Sequence, residues 1–528
     1  MRSAVAVVVF AVALPLTAAT HHAKTKSRPK PKTSDSAPVT ITVAHFSDYH
    51  SHALPFYSEA RENQGGMARA VPYLRRIAKD GGLVFSGGDM INKGSPAWSD
   101  RYRCVEWKWL SGIVDAMAYG NHDSDYGPAV FRSCRDEIGF PILGANVLSS
   151  DGDPLFVWST QWQRSSKPVP YAVFNRKGIR IGVFAIAGSD FNALVPPANR
   201  PEAGATFGDP VATARRIVHA LRTTERVDAV VLIGHEQLDD DFALARAVPG
   251  IDVIFGTHSH IKQDLVQIPG TATWFVSPFQ YLTYISRLEL TFRNHKLTSV
   301  TGGLVPVDAS MPADPQLTAR LAAMEADLER DPAYEALFRP IGTAAAPLNI
   351  EGHNIRDSAL TDLVMDVMRD VAKADVAIST SSSFRQSIPA GTITLEALRA
   401  TLPYDNEIVV YQVTGERLEE VLAYAASRID SDFFAQVSGV RFIVDAHEHE
   451  PTHLRIADGR GDWVQIDRSK TYRLATTDYV ARIAPGYSPF FKNLTSQPTG
   501  LHIRDEVRKY IVAHSPVTAA RDGRVEGE

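Results

Sequence analysis

Gly120-Asn121-His122-Asp123-Ser124-Asp125-Tyr126-Gly127 sets an amide, an imidazole and carboxylates between two glycines, directly behind an apolar run. Four more segments repeat the arrangement: Asp48-Tyr49-His50, Gly88-Asp89, Gly234-His235 and Gly256-Thr257-His258-Ser259-His260. Each follows a strand-like apolar stretch and offers Asp, Asn or His where a strand gives way to a loop. Any one of these histidines alone reads as an ordinary core or surface residue. Five such strand ends in one stretch of chain reverse that reading, because side chains at neighbouring strand ends converge on one cleft.

The residue types point to metal chemistry. Hard and borderline divalent cations take Asp oxygen, His nitrogen and Asn carbonyl oxygen. Asp48, His50, Asp89, Asn121, His235, His258 and His260 are donors of this kind. A carboxylate can bridge two ions. Two ions can clamp the attacking and leaving oxygens of a phosphoryl displacement and lower the pKa of bound water. In an extended segment, residues i and i+2 share a side. Asp48 with His50, and His258 with His260, are therefore expected to present ligands in pairs. The donor set does not choose among Zn, Mn, Co, Mg and Ca.

Around the motifs, residues 41–46, 83–86, 181–186, 229–233 and 253–255 read as buried strands, and 66–79 and 210–223 as helices between them. This is an α/β layered pattern with its loops at the strand ends. Leu317, Leu321, Met324 and Leu328 form one stripe at helical spacing. That segment is either a linking helix or a surface helix of one flank. A second α+β region follows, with a helix at 358–373, strands at 408–413 and 440–444, and a turn at Asp458-Gly459. Residues 519–528 are polar and expected to fray.

The chain has 528 residues, 44% hydrophobic and 22% charged, enough for two or three domains. A net charge of −5 gives no basic excess to recommend a nucleic-acid polymer as partner. Arg2, the apolar run 4–16 and Thr17-Ala18-Ala19 have the pattern of a secretory signal, too short to span a bilayer comfortably. An uncleaved anchor is the alternative. A Lys, Ser, Pro and Thr-rich stretch follows it, of the composition of a disordered tether. No other segment has the length and apolarity of a membrane span, so a secreted or periplasmic location is expected. There, the two cysteines Cys104 and Cys134 could form a disulfide bracing the Asn121 loop, or remain two buried thiols.

The ordered motifs resemble those of the calcineurin-like metallophosphatases, and more closely the secreted 5'-nucleotidases. Ala44-His45-Phe46-Ser47-Asp48-Tyr49-His50 and Ser86-Gly87-Gly88-Asp89 match that family's first two motifs, and Gly120 to Gly127 resembles its G-N-H-E-F-D-x-G. The last motif keeps its H-S-H pair, with Thr257 placed after the glycine. The resemblance implies an α/β four-layer metallophosphatase sandwich followed by a smaller α+β substrate-binding domain. The segments would be a signal peptide at 1–19, a tether at 20–38 and a metallophosphatase domain at 39–310. A helical linker at 311–345, a nucleotidase C-terminal domain at 346–515 and a tail at 516–528 would follow.

The resemblance also implies two divalent metal ions, one held by Asp48, His50, Asp89 and His260, the other by Asp89, Asn121, His235 and His258, with Asp89 bridging. His122, oriented by Asp125, would face the phosphoryl group and stabilise its charge. A helix N-cap is the alternative role for Asp125. Asp123, Glu236 and His52 would support the site. Arg356 and Arg385 would grip an oxyanion, although Thr380-Ser381-Ser382-Ser383-Phe384-Arg385 replaces the family's N-G-G-x-x-R. Phe434 and Tyr487 would sandwich a nucleobase, although Ile483-Ala484-Pro485-Gly486 replaces the glycine-rich turn before the second ring. The expected substrate is a small phosphorylated molecule, a nucleoside 5'-monophosphate or related nucleotide. A 2',3'-cyclic nucleotide, a nucleotide sugar or a non-nucleotide ester is the alternative, and a non-catalytic binding protein the reading from another class.

Overall fold

The computed structural model describes residues 37–157, 168–445, 447–484 and 486–527. The expected signal peptide and nearly all of the expected tether lie outside the described residues. Two six-stranded sheets form the N-terminal part. The first runs in the order Lys296–Pro306, Tyr284–Arg293, Val39–Phe46, Leu83–Ser86, Ala116–Ala118, Ile142–Leu143. The second runs Lys262–Gln267, Trp274–Pro278, Val253–Phe255, Ala229–His235, Ile179–Ala187, Ala172–Arg176. Val39–Phe46 lies parallel to Leu83–Ser86 and antiparallel to Tyr284–Arg293, with Thr42 opposite Glu289.

The period of two along each strand sets the layers. Ile41 and Val43 point between the sheets, into one cluster with Val231, Ile233 and Phe255. Ala44 and Phe46 point the other way, into a cluster with Val71 and Leu74 of the helix Met67–Lys79. Val230 and Leu232 turn toward Ile217 and Leu221 of the helix Pro210–Thr223. Burying each such Val, Leu, Ile or Phe side chain contributes about 1.5–3 kcal/mol. Together they give the helix, sheet, sheet, helix stack that the resemblance implies. Pro210 stands at the first turn of its helix, and the Asp209 carboxylate accepts from the Ala212 N–H at 2.6 Å, so that helix starts where both residues favour it. The Leu317 stripe forms the helix Pro315–Arg330, which buries Leu321 and Leu328 in the cluster beneath the first sheet.

The C-terminal region carries a five-stranded sheet, ordered Ala435–Ser438, Val376–Thr380, Thr471–Thr477, Glu407–Thr414, Ser496–His502. The helix Ala359–Ala372 packs on it, its start fixed by a reciprocal Ser358 and Thr361 cap. The tail does not fray as its polarity suggests. Val525–Gly527 pairs parallel with Val440–Val444. Arg524 is only 6% exposed and meets Asp366 at 3.0 Å, while the buried Asp357 carboxylate accepts from the Arg524 N–H at 3.0 Å and from Arg521 Nε at 2.9 Å. These ion pairs outweigh the tail's hydrophilicity.

Cys104 and Cys134 form a disulfide with a Cα–Cα distance of 5.8 Å. It ties the helix Val105–Leu110 to the helix Pro128–Asp136, which follows the Asn121 loop. Closing a loop of 30 residues stabilises the fold by about 3–4 kcal/mol in the chain-entropy account. A Cys104→Ser, Cys134→Ser variant is therefore expected to lose that much unfolding free energy in urea titration. A loss under about 1 kcal/mol would contradict the bracing role.

Candidate active site

The site lies where the central strands of both sheets end, and its loops are tightly wound. Asp48, His50, Asp89, His258 and His260 all have left-handed backbone, with φ of 48°, 44°, 50°, 61° and 52°. Each such non-glycine residue costs roughly 1–3 kcal/mol and persists only where its surroundings hold it. Asp123 supplies much of that hold. Its buried carboxylate accepts from the N–H groups of Asp89 at 3.1 Å, Met90 at 2.8 Å and Gly120 at 2.8 Å, locking two loops together. Gly120 is required at this point, because a Cβ there would stand 2.2 Å from Asp89 Oδ1.

This geometry corrects the expectation of extended pairs. Asp48 and His50 do converge, but through a left-handed turn and not by strand alternation. His258 and His260 separate. Asp48, His50 and His260 form one triad of converging ligand atoms, and Asp89, His235 and His258 form the other. His260 Nε2 is 3.4 Å from Asp48 Oδ1 and 3.2 Å from His50 Nε2. Asp89 Oδ2 stands between the triads, 3.3 Å from His235 Nε2 and 3.7 Å from His50 Nε2. Asn121 Oδ1 is 3.2 Å from His235 Nε2. All seven donors expected from the sequence are therefore brought together.

The donor set fits divalent cations. Burial pushes the imidazoles of His50 and His260 well below their ordinary value, leaving neutral rings with lone pairs. Burial also opposes ionisation of Asp89, but His235 and His122 outweigh it and hold the carboxyl well below its usual range. Burial would lower His235, yet the Asp89 carboxylate lifts it to about 9. That is the pull of a buried anion for whatever positive charge stands beside it. His235 Nδ1 faces the Gly87 carbonyl at 2.7 Å, which turns Nε2 toward the triad.

His122 adjoins Asp89, whose Oδ1 accepts from the His122 N–H at 2.8 Å. The His122 ring meets Asp125 Oδ2 through Nδ1 at 2.8 Å. Burial would depress this imidazole, but Asp125 and Asp89 hold it well above its ordinary value. Asp125 thus pairs with His122 and caps no helix. Among the supporting residues, His52 stacks on Tyr281 with ring centroids 3.6 Å apart, and Glu236 is buried. Asp190 escaped the sequence reading. Its Oδ2 is 3.0 Å from His258 Nε2, so it orients that ring. It too is an acidic residue just past an apolar strand, Ile179–Ala187, and could have been read as a sixth strand end.

A cleft of 240 Å³ opens over Asp89, Asn121 and His122, and its far wall comes from the C-terminal region. Arg385 lines it, 3.6 Å from Asp432 and 3.3 Å from the Tyr404 hydroxyl, with Nη1 also against His260 Nδ1. Three expected substrate residues are elsewhere. The Arg356 side chain is exposed and lines no part of this cleft. Phe434 and Tyr487 are fully buried in the C-terminal core, where the Tyr487 hydroxyl donates to the Phe433 carbonyl at 2.9 Å. The packing demand of that core overrides the match in local sequence.

Comparison with known proteins agrees with this geometry. Residues 41–262 match the family of calcineurin-like phosphoesterases, and residues 340–493 match the C-terminal domain of 5'-nucleotidases. The chain is 28% identical to protein UshA of Yersinia enterocolitica, over 91% of this chain and 92% of the relative. It is 25% identical to a 5'-nucleotidase of Vibrio cholerae over the same shares. Its fold is similar to that of a 5'-nucleotidase precursor from Thermus thermophilus, with a TM-score of 0.73 and 24% identity over 93% of this chain and 99% of the other. It is also similar in fold to the sulfate thiohydrolase SoxB, with a TM-score of 0.70 and 20% identity over 92% of this chain and 96% of the other. From its motifs, its two matched regions and its buried donor set, the chain belongs to the calcineurin-like metallophosphoesterases that carry a 5'-nucleotidase C-terminal domain.

Proposed function

We propose that this chain is an exported phosphohydrolase using two divalent metal ions to remove phosphate from nucleoside 5'-monophosphates or related nucleotides. The observation that carries the reading is the position of Asp89 Oδ2 between two triads of buried ligands. Asp48, His50, Asp89 and His260 would hold one ion, and Asp89, Asn121, His235 and His258 the other. When bound, such a pair supplies Lewis-acid stabilisation of phosphoryl oxygens and a water nucleophile at neutral pH. His122 holds a proton on the nitrogen facing away from Asp125 and donates it toward the phosphoryl group's developing charge. Arg385 offers a planar fork to the same oxygens. Asp190 and Asp125 fix the rings of His258 and His122. Export is supported by the N-terminal signal pattern and by the Cys104–Cys134 bridge, which suits an oxidising compartment.

One observation favours larger esters at the same site, such as nucleotide sugars. A second cavity of 280 Å³ meets the cleft at His260, Arg385 and Asp432. The test is phosphate release by metal-stripped protein reloaded with Mn or Zn, on AMP, UDP-glucose, 2',3'-cyclic AMP and an aryl phosphate. Metal-dependent release from AMP supports the first reading. Turnover of UDP-glucose without AMP supports the second, and no release from any ester refutes both.

A further inference from the structure

Resting on that reading, we infer that Arg399 is a positioning residue for the reaction. It belongs to the C-terminal region and lies outside both donor triads and the cleft lining. It grips the turn 92–95, the turn holds Asp125, and Asp125 holds the His122 ring.

The chain of bonds begins at the imidazole. Asp125 Oδ2 faces two donors, the His122 ring at 2.8 Å and the Lys93 N–H at 3.2 Å. The carboxylate is therefore placed by the turn as well as by the ring. Lys93 lies in the turn 92–95, where the Ser95 N–H donates to the Asn92 carbonyl at 3.5 Å. Gly94 follows Lys93 with a φ of 88°, left-handed backbone that favours glycine. Glycine resists rotation less than any other residue, so the turn takes its form from whatever grips it.

Two charged side chains grip it, one from each region of the chain. Asp100 Oδ1 accepts from the Gly94 N–H at 2.9 Å and from the Tyr126 hydroxyl at 2.6 Å. Tyr126 follows Asp125 in the motif, so Asp100 ties the turn to the motif a second time. Arg399 Nη2 donates to the Gly94 carbonyl and stands 3.9 Å from Asp100 Oδ2. The Ser95 hydroxyl donates to the Arg399 carbonyl at 3.1 Å, so side chain and backbone of Arg399 both meet the turn. Arg399 rides on the helix Leu395–Thr401, whose start is capped by the Thr394 hydroxyl. That helix meets the same stretch once more, where Glu396 Oε1 accepts from the Ala97 N–H at 2.5 Å.

Relative bond strengths decide what the guanidinium does. A bond from a cationic donor is roughly twice as strong as a neutral one, so Arg399 is the firmest hold on the Gly94 carbonyl. The Lys93 bond to Asp125 is neutral on its donor side and, at 3.2 Å, lies at the long end of the usual N–H···O range. A small retreat of the turn ends it. Asp125 then keeps the ring as its one named partner, and the pair gains freedom to swing. A displacement of about 1 Å in such a group costs up to ~100-fold in rate.

The test uses the full chain reloaded with Mn for kinetics and loaded with Zn for proton magnetic resonance. Arg399→Met keeps the aliphatic stem and removes the donors. It is expected to lower kcat for AMP about tenfold, with KM and metal content within about twofold of the parent. Arg399→Lys, which still offers a charged donor to the Gly94 carbonyl, recovers most of that loss. In a His122→Ala background, Arg399→Met costs under about twofold more, because the ring it positions is gone. The second readout is the Nδ1–H resonance of His122, identified by its disappearance in His122→Ala. Arg399→Met is expected to shift or broaden it, and Arg399→Lys to restore it. If turnover persists while Arg399→Met changes neither kcat nor the resonance, the positioning role is wrong and the hydrolase reading stands. The role is equally overturned if the losses from Arg399→Met and His122→Ala multiply, since Arg399 then acts through something other than His122. If the parent hydrolyses no ester yet Arg399→Met moves the His122 resonance, the positioning role stands and the hydrolase reading falls.

Discussion

Asp89→Asn is expected to reduce phosphate release by at least ~10³-fold, about 4 kcal/mol of transition-state stabilisation. The change keeps the shape of the side chain and removes its charge. Asp89 Oδ2 is the carboxylate oxygen that approaches both His235 Nε2 and His50 Nε2, at 3.3 and 3.7 Å, and among the described residues no other carboxylate is shown to approach both rings. Loss of the charge should therefore show first as lost metal, read as ions per chain by mass spectrometry after dialysis. The fold should survive, because Asp123 still holds the loops through the N–H groups of Asp89, Met90 and Gly120, and the new amide keeps an oxygen that can accept from the His122 N–H. Turnover within tenfold of the parent, with full metal content, would remove Asp89 from its bridging position.

His122→Ala is expected to cost ~10²–10⁴-fold in kcat, the range for losing a positioned proton donor or charge stabiliser. Metal content should not change, since His122 belongs to neither triad. Asp125→Asn should cost less, about 10–100-fold, because the ring remains but loses the partner that orients it and holds it charged. Equal losses from the two variants would point to collapse of the loop. A His122→Ala variant with parental kcat would show that the imidazole takes no part in the chemistry.

The layered fold and the convergence of the candidate donors were legible in the sequence because both depend on local patterns. Apolar runs such as 229–233 are long enough to mark buried strands, and the polar residues that end them have nowhere to go but the strand-end cleft. The geometry within the cleft was not legible. Strand alternation paired His258 with His260, whereas left-handed backbone at both positions sends them to different triads. Asp190 was missed because Ser189 and Asp190 resemble an ordinary turn until His258 arrives from 68 residues away. Phe434 and Tyr487 were misplaced for a related reason. A ring in a familiar motif can face a ligand or fill a core, and the choice depends on neighbours such as Tyr424 that sequence does not bring together. The tail was misjudged from its charge, which reads as solvation until Asp357, Asp362 and Asp366 are found facing it.

The partnership between the first strand and Tyr284–Arg293 has a consequence in time. Thr42 meets Glu289, 247 positions further along the chain. A ribosome adding roughly 5–20 residues per second takes about 12–50 s to reach the partner after the first strand is made. Throughout that interval Ile41, Val43 and Phe46 belong to an unfinished sheet. The order in which the chain is written thus postpones closure of the domain until all five of its strand-end motifs have been synthesised.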